Sequence, residues 1–183
     1  MDSENILFDK DGFKFVCVRK NQYKLQFNME NKNIILSKII DFSLIKLIYD
    51  LNPDVYEKVN IQKINENEVI VTLLMKHLFE DLGLPQRFSH IHMVKLIEER
   101  RIIFNSQSIK DRRPEGMPYD AELMSIKQLI CVCNIITDHN IEFSVNIIFD
   151  PTMNVPPFAE KLVGMILNKI FKRVKLFIEN VRM

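Results

Sequence analysis

The C-terminal run IEFSVNIIFDPTMNVPPFAEKLVGMILNKIFKRVKLFIENVRM, residues 141–183, decides the fold. Its first ten residues alternate. Ile141, Phe143, Val145, Ile147 and Phe149 fall on one side, Glu142, Ser144, Asn146 and Asp150 on the other, and only Ile148 breaks the rule. A period of two is that of a strand with one buried face. Asp150-Pro151 ends it, because proline has no N–H to give a ladder. Pro156 and Pro157 suit the first turn of a helix, whose N–H groups lack intrahelical partners, and Asn154 before them is a good cap. From Phe158 the period becomes helical. Phe158, Leu162, Val163, Ile166, Leu167, Ile170, Phe171, Val174, Phe177, Ile178 and Val181 share one broad apolar face, opposite Lys161, Gly164, Asn168, Lys172, Lys175 and Glu179. About 26 residues at 1.5 Å each make a rod of roughly 39 Å. A helix that long and that apolar needs a large concave partner, and a curved sheet is the natural one.

The rest of the chain supplies such a sheet. Residues 12–19 and 23–29 alternate around Lys20-Asn21-Gln22 and read as a hairpin. Ile34 to Leu51 repeats apolar residues at three and four and reads as a helix, followed by a short helical turn at Asp54–Tyr56. Strands are expected over 58–65, 68–75, 87–97, 101–109, 119–124 and 126–137, joined by the turns Asn65-Glu66-Asn67, Glu98-Glu99-Arg100 and Asp138-His139-Asn140. His77 to Pro85 is a connection, and Lys110 to Pro118 an exposed polar loop. The order is two strands, a helix, an antiparallel meander and a long final helix. That is an α+β, helix-grip architecture: a curved antiparallel sheet wrapped around a long C-terminal helix. Short turns exclude a parallel doubly wound sheet. Residues 1–11 are expected to be a flexible N-terminus and 12–183 one domain.

At 47% hydrophobic and 27% charged, with net charge +1, the composition is that of an ordinary globular protein, and no global charge argues for nucleic acid. From residue 155 onward six Lys and Arg stand against two Glu, so the final helix is basic. A solvated helix face explains this; contact with an anionic membrane is the functional alternative. Three cysteines, an odd number, argue against a disulfide framework, and Cys131 and Cys133 read as small core residues. No signal peptide or spanning run is evident, so a soluble, cytoplasmic protein is expected. The richness in Ile, Lys and Asn suggests an AT-rich coding genome, as in a protist or a large DNA virus.

Three passages carry a resemblance. Leu84-Pro85-Gln86-Arg87-Phe88 resembles the P-R-D-F lead-in to the central hairpin of START lipid-transfer domains. Ser108-Ile109, a loop with Pro114, then Tyr119-Asp120-Ala121-Glu122 resembles that family's S-V…P…R-A-E passage. Asp150-Pro151 followed by Val155-Pro156 and a long helix resembles its D-P-x-G-x-[IV]-P corner. The ordered series covers residues 12 to 181. The chain lacks the family's tryptophans, has Asp120 where arginine is usual, and has no glycine after Asp150-Pro151. These departures bear on ligand specificity more than on fold. The resemblance implies a START-like domain that binds a lipid or other apolar molecule between sheet and helix.

No chemistry competes strongly with that. His90 and His92 share a strand face, but no third ligand is evident, and both are expected on the outer face; no metal is predicted. Four glycines and no Gly-x-Ser-x-Gly leave neither a phosphate cradle nor a nucleophile elbow, and no cofactor is predicted. The expected cavity is lined by Phe158, Leu162, Met165, Ile166 and Ile170 from the helix and by Ile91, Met93, Ile103, Val145 and Ile147 from the sheet. Nine methionines suit an adaptable lining. Asn105 and Gln107 are the polar groups expected to orient a head group. The same residues would equally build a filled core. The favoured reading is non-enzymatic binding or transfer of a lipid. The alternatives are a protein-interaction module on the same scaffold and a cyclase-type enzyme, for which no inward acid, base or histidine is evident.

Overall fold

The computed structural model describes residues 5–153 and 156–182. The strands are β1 (Asn5–Lys10), β2 (Phe13–Arg19), β3 (Gln22–Glu30), β4 (Tyr56–Asn65), β5 (Glu68–Met75), β6 (Arg87–Glu98), β7 (Arg101–Ser108), β8 (Glu122–Leu123), β9 (Ile126–Thr137) and β10 (Asn140–Phe149). Helix α1 (Ser43–Asp50) lies between β3 and β4, and α2 (Pro157–Asn180) follows β10. The strands form one open sheet in the order β1-β2-β3-β10-β9-β7-β6-β5-β4, with every neighbour antiparallel and β8 alone adding in parallel to β6. This is the helix-grip architecture expected from the sequence.

Register shows which side chains share a face, because directly opposed residues in an antiparallel pair point the same way. One row runs Phe13–Phe27–Phe143–Cys133–Ile102 and the next Phe15–Leu25–Val145–Cys131–Phe104. A third runs Tyr23–Ile147–Leu129–Ser106–Met93–Val69. These rows form the inner face, and their apolar residues join one hydrophobic cluster with α1 and α2. Rings knit it together: Phe27 stacks on Phe143 with centroids 4.8 Å apart and meets Phe171 of α2 at 5.3 Å.

Four boundaries differ from the sequence reading, each for a physical reason. The sheet begins at Asn5, ahead of Gly12: Asp11 (φ 56°) and Gly12 (φ 79°) make the two-residue turn with both φ positive that joins twisted strands, and Leu7 and Phe8 pack on the core. The helix expected over 34–51 is α-helical only from Ser43, after a 3-10 turn at Leu36–Lys38. Contacts with the β9–β10 turn hold the chain there: Leu36 N–H donates to Asp138 O at 2.8 Å, and His139 Nδ1 lies 3.0 Å and 2.8 Å from the carbonyls of Asn31 and Ile34. The strand expected over 119–124 shrinks to Glu122–Leu123. Finally, α2 starts at Pro157 with Pro156 extended before it, and the expected cap Asn154 lies outside the described residues, as does Val155.

The helix also packs by a narrower stripe than its sequence shows. Ala159, Gly164, Ile170, Val174 and Ile178 are buried, whereas Phe158 is 52% exposed and Met165 61%. Gly164, expected on the polar side, faces the sheet: a Cβ there would stand 3.0 Å from the Phe15 ring. Glycine therefore sets how closely helix and sheet approach. Gly164→Val is expected to cost about 1–3 kcal/mol through overpacking against Phe15, read as a lower urea midpoint at unchanged m. Met165→Val, exposed one position on, should stay within about 0.5 kcal/mol of the parent.

Candidate functional site

Helix α2 is fastened unevenly along its length. Its second half is riveted. Asn31, buried between β3 and the 3-10 turn, donates from Nδ2 to Ile178 O at 2.5 Å and to Val181 O at 2.9 Å. Arg173 donates to Asn52 Oδ1 at 3.1 Å, and Arg173 and Lys169 both pair with Asp54 in the loop after α1. Lys175 Nζ donates to Asn28 O at 2.5 Å, and Glu179 accepts from the Glu30 N–H at 3.1 Å. Lys172 pairs with Asp11 at 2.7 Å. Across residues 157–168 one side-chain hydrogen bond holds helix to sheet among the described residues: Tyr23 Oη donates to Glu160 Oε1 at 2.5 Å. Burial, and then that bond, raise the Tyr23 phenol well above its ordinary pKa, so it remains a neutral donor.

The sheet residues of the expected lining outside β7 lie on the inner face. Ile91, Met93 and Val145 are buried there, and Ile147 and Leu129 are half-buried. On the helix Ile170 is buried, Leu162 and Ile166 are half-buried, and Phe158 and Met165 face solvent. Ile91, Met93, Val145 and Ile147 thus share the inner face and one hydrophobic cluster, to which Leu162, Ile166 and Ile170 of the helix do not belong. The structure does not bring Ile103, Asn105 and Gln107 to that face. Ile103 registers with Leu96 and Val132, Asn105 with Val94 and Ile130, and Gln107 with His92, all on the outer face; Asn105 and Gln107 are exposed. The inward residues of β7 are Ile102, Phe104 and Ser106.

Ser106 is the polar group that sequence reasoning missed. It is 2% exposed, between Met93 and Leu129 in register, and its hydroxyl has no partner among the described residues. Two residues on, Ser108 donates to Met124 O at 3.3 Å and accepts from the Ile126 N–H at 2.9 Å. A buried hydroxyl without a partner is costly unless something else satisfies it. The signal was Phe104: an aromatic ring fixes the inward parity of Arg101–Ser108 better than Ile103 does. The row that begins with Tyr23 therefore carries the Tyr23–Glu160 pair at its β3 end and the Ser106 hydroxyl on β7. Ser106 and Tyr23 lie three strands apart in one row, about 14 Å at roughly 4.8 Å per strand.

Catalytic groups do not assemble here. Among the described residues no group of three His, Cys, Asp or Glu could hold a metal. Cys131 and Cys133 share the inner face with their sulfurs 3.9 Å apart, and Cys133 is fully buried. Its thiol is driven far up in pKa, first by the hydrogen bond to Cys131 and then by burial, so it is no nucleophile. His90 and His92 lie on the outer face, registered with Thr72 and Ile70. A groove of about 280 Å³ opens between α1 and α2, lined by Ile39, Ser43, Leu44, Lys46, Leu47, Asp50 and Ile178, at the opposite end of α2 from the expected site. No described helix is long and apolar enough to cross a membrane.

No family model matches the chain, and no curated protein matches its sequence. Solved structures do. The chain resembles the human StarD13 (DLC2) lipid transfer and protein localization domain, with TM-score 0.71 and 10% identity, over 99% of this chain and 91% of that one. It resembles human STARD10 with TM-score 0.68 and 13% identity, over 95% and 74%. A STAR-related lipid transfer protein from Xanthomonas axonopodis gives TM-score 0.63 and 12% identity, over 97% and 99%. The fold is that of START domains along nearly the whole chain.

The uneven fastening is measurable. Tyr23→Phe removes one hydrogen bond to a carboxylate and is expected to speed hydrogen exchange of the amides of residues 162–168 about tenfold, the equivalent of roughly 1.4 kcal/mol, while residues 173–178 stay as they were. Acid should act at the other end. Arg173, then Lys169, hold the Asp54 carboxylate well below its ordinary pKa. The stability this adds is present above the unfolded aspartate value near 4 and is lost as pH falls through the lower folded value. Asp54→Asn should flatten the acid limb of a pH–Tm profile, less so in high salt because the pair is exposed.

Proposed function

We propose that this chain binds one molecule of a lipid or other hydrophobe on the inner face of its sheet, beneath the N-terminal half of α2. It acts there as a non-enzymatic binding or transfer protein. What supports this reading is an apolar inner face containing one partnerless hydroxyl, Ser106, together with a helix half that a single side-chain bond fastens. Ser106 satisfies a hydroxyl, carbonyl or phosphate oxygen of the ligand, and the apolar rows take its chain. Ligand enters when the Tyr23–Glu160 bond opens and α2 swings on its riveted second half, so the lining is Ile91, Met93, Val145 and Ile147 from the sheet and Leu162 and Ile166 from the helix. Lipid transfer is in the names of the StarD13 and Xanthomonas neighbours, which supports the ligand class.

Phe158 and Met165 are exposed at the free end of α2, flanking the cation of Lys161. An apolar pair beside a cation is suited to brief contact with an anionic membrane, where the helix would lift and ligand would pass. The protein works from an aqueous compartment, the cytoplasm on our reading, and residues 5–182 act as one domain that includes β1.

Native mass spectrometry of protein purified from lipid-rich cells should show a retained lipid, and a fluorescent sterol and phospholipid panel should identify its class. Ile166→Glu and Leu162→Glu are expected to abolish binding with the melting transition retained, and Ile103→Glu, on the outer face, should leave binding intact. Absence of bound lipid together with no binding across the panel would sink the reading and leave a closed core with function on the surface.

A further inference from the structure

The outer face carries a second cleft, of about 870 Å³. Strand parity builds its floor: Asn60 and Gln62 of β4, Ile70 and Thr72 of β5, and His90 of β6 alternate with the core residues Val71 and Ile91. The loop 109–121 builds its wall and is well fastened. Met117 and Ala121 pack on Leu74 and Phe88 in a small separate cluster. The Arg113 guanidinium lies 5.0 Å over the Phe88 ring and donates to the carbonyls of Pro118 and Ala121. Lys58 Nζ donates to Gly116 O at 3.1 Å, and Lys110 pairs with Asp150 at 2.5 Å. The cleft is therefore a built feature.

Two groups lining it lack partners. His90 is 5% exposed; its Nδ1 lies 2.9 Å from Thr72 Oγ1, and its Nε2 has no partner among the described residues. Arg112 makes no hydrogen bond or ion pair among the described residues. Burial first, then the Arg112 cation, hold His90 below the usual imidazole pKa against the opposing pull of Asp111, so the ring is neutral near pH 7. Either tautomer of the neutral ring satisfies the Thr72 contact; where the Thr72 hydroxyl donates to Nδ1, the proton is on Nε2. In that tautomer a buried N–H without an acceptor lines the same cleft as the exposed Arg112 guanidinium. One oxyanion satisfies the first and pairs with the second.

We propose that this cleft is a second ligand site, for a soluble small molecule bearing a carboxylate or phosphate. Its oxyanion accepts from His90 Nε2–H and pairs with Arg112, and its body lies along Val59, Ile70 and Met117. The volume is within the range of small-molecule sites. Cations outnumber carboxylates in the lining, Lys58, Arg112 and Arg113 against Glu57 and Glu115, and Glu57 is engaged by Gln86 Nε2 at 3.0 Å. The oxyanion selects the Nε2–H tautomer, and the Thr72 hydroxyl holds it. This site is separated from the inner face by the thickness of the sheet and does not depend on the lipid reading.

The test is nitrogen-15 NMR of the His90 ring during titration with inorganic phosphate and, separately, acetate, each against chloride at matched ionic strength. A saturable shift of Nε2 toward the protonated tautomer is expected with at least one of the two, and which one responds assigns the oxyanion. Arg112→Gln should weaken it about tenfold, the effect of losing one charge-assisted contact. Thr72→Val, which keeps the shape of the side chain, should weaken it and restore a mixture of tautomers. No saturable shift with either anion, or an equal shift in Arg112→Gln, overturns the proposal. Lipid binding measured on Arg112→Gln should be that of the parent, so the two sites stand or fall separately.

Discussion

The pairing of β3 with β10 is the constraint on which the rest of the molecule depends. It runs nine residues in register, from Glu30 opposite Asn140 to Gln22 opposite Ile148, and joins segments more than a hundred residues apart. Closing so long a loop costs conformational entropy before any contact is made. What offsets it is packing along the same pairs. Phe27 and Phe143 are directly opposed and stack at 4.8 Å, Phe13 meets Phe27 at 5.0 Å, and Phe171 of α2 completes the group. The N-terminal hairpin, the last hairpin and the final helix therefore meet at one ring. Without that pairing the sheet would split into two pieces, and neither would present an inner face wide enough for α2.

From this junction the helix is secured in one direction only. Toward its C-terminus it meets Asn31, Asn52 and Asp54, polar residues from the segments between β3 and β4, and each satisfies helix backbone or helix charge. Toward its N-terminus it meets apolar rows and a single phenol. A segment that relies on apolar contact with few hydrogen bonds belongs to the low end of a molecule's local stabilities, where moving elements are found. The same end holds the buried hydroxyl of Ser106 and the exposed Phe158 and Met165. The fastening is thus weakest at that end, which follows from where the sequence places its amides and aspartates.

The element order, the sheet and the long helix were legible because their periods are long and clean. Ile141–Phe149 alternates almost without fault, and the helical period from Phe158 persists for twenty residues. The errors arose where a pattern was ambiguous. Arg101–Ser108 carries Ile102, Ile103 and Phe104 in succession, so apolar residues occupy both parities, and a one-residue slip sends every side chain to the other face. Asn105 and Gln107 were assigned inward for that reason, and Ser106 was overlooked. The segment at 34–42 reads as helical because Ile35, Ile39 and Phe42 recur at spacings of four and three, but hydrogen bonds with the distant β9–β10 turn override its local preference. The stripe on α2 was read too broadly, since hydropathy alone does not show that Gly164, by having no side chain, lies nearest the sheet.

Strand β6 shows how one pattern serves two surfaces. Ile91 and Met93 point into the apolar rows, and His90 and His92 point out, His90 beneath the loop 109–121. Most outer faces of antiparallel sheets meet water and need no cover. Here the chain uses thirteen residues to roof part of that face, places a small apolar cluster of Leu74, Phe88 and Ala121 under the roof, and keeps a buried histidine beside it. More than that cluster holds the loop: Arg113 and Lys58 donate to backbone carbonyls within it. One departure from the START pattern, Asp120 where arginine is usual, lies in this stretch. The loop takes no part in the β3–β10 junction that holds the fold.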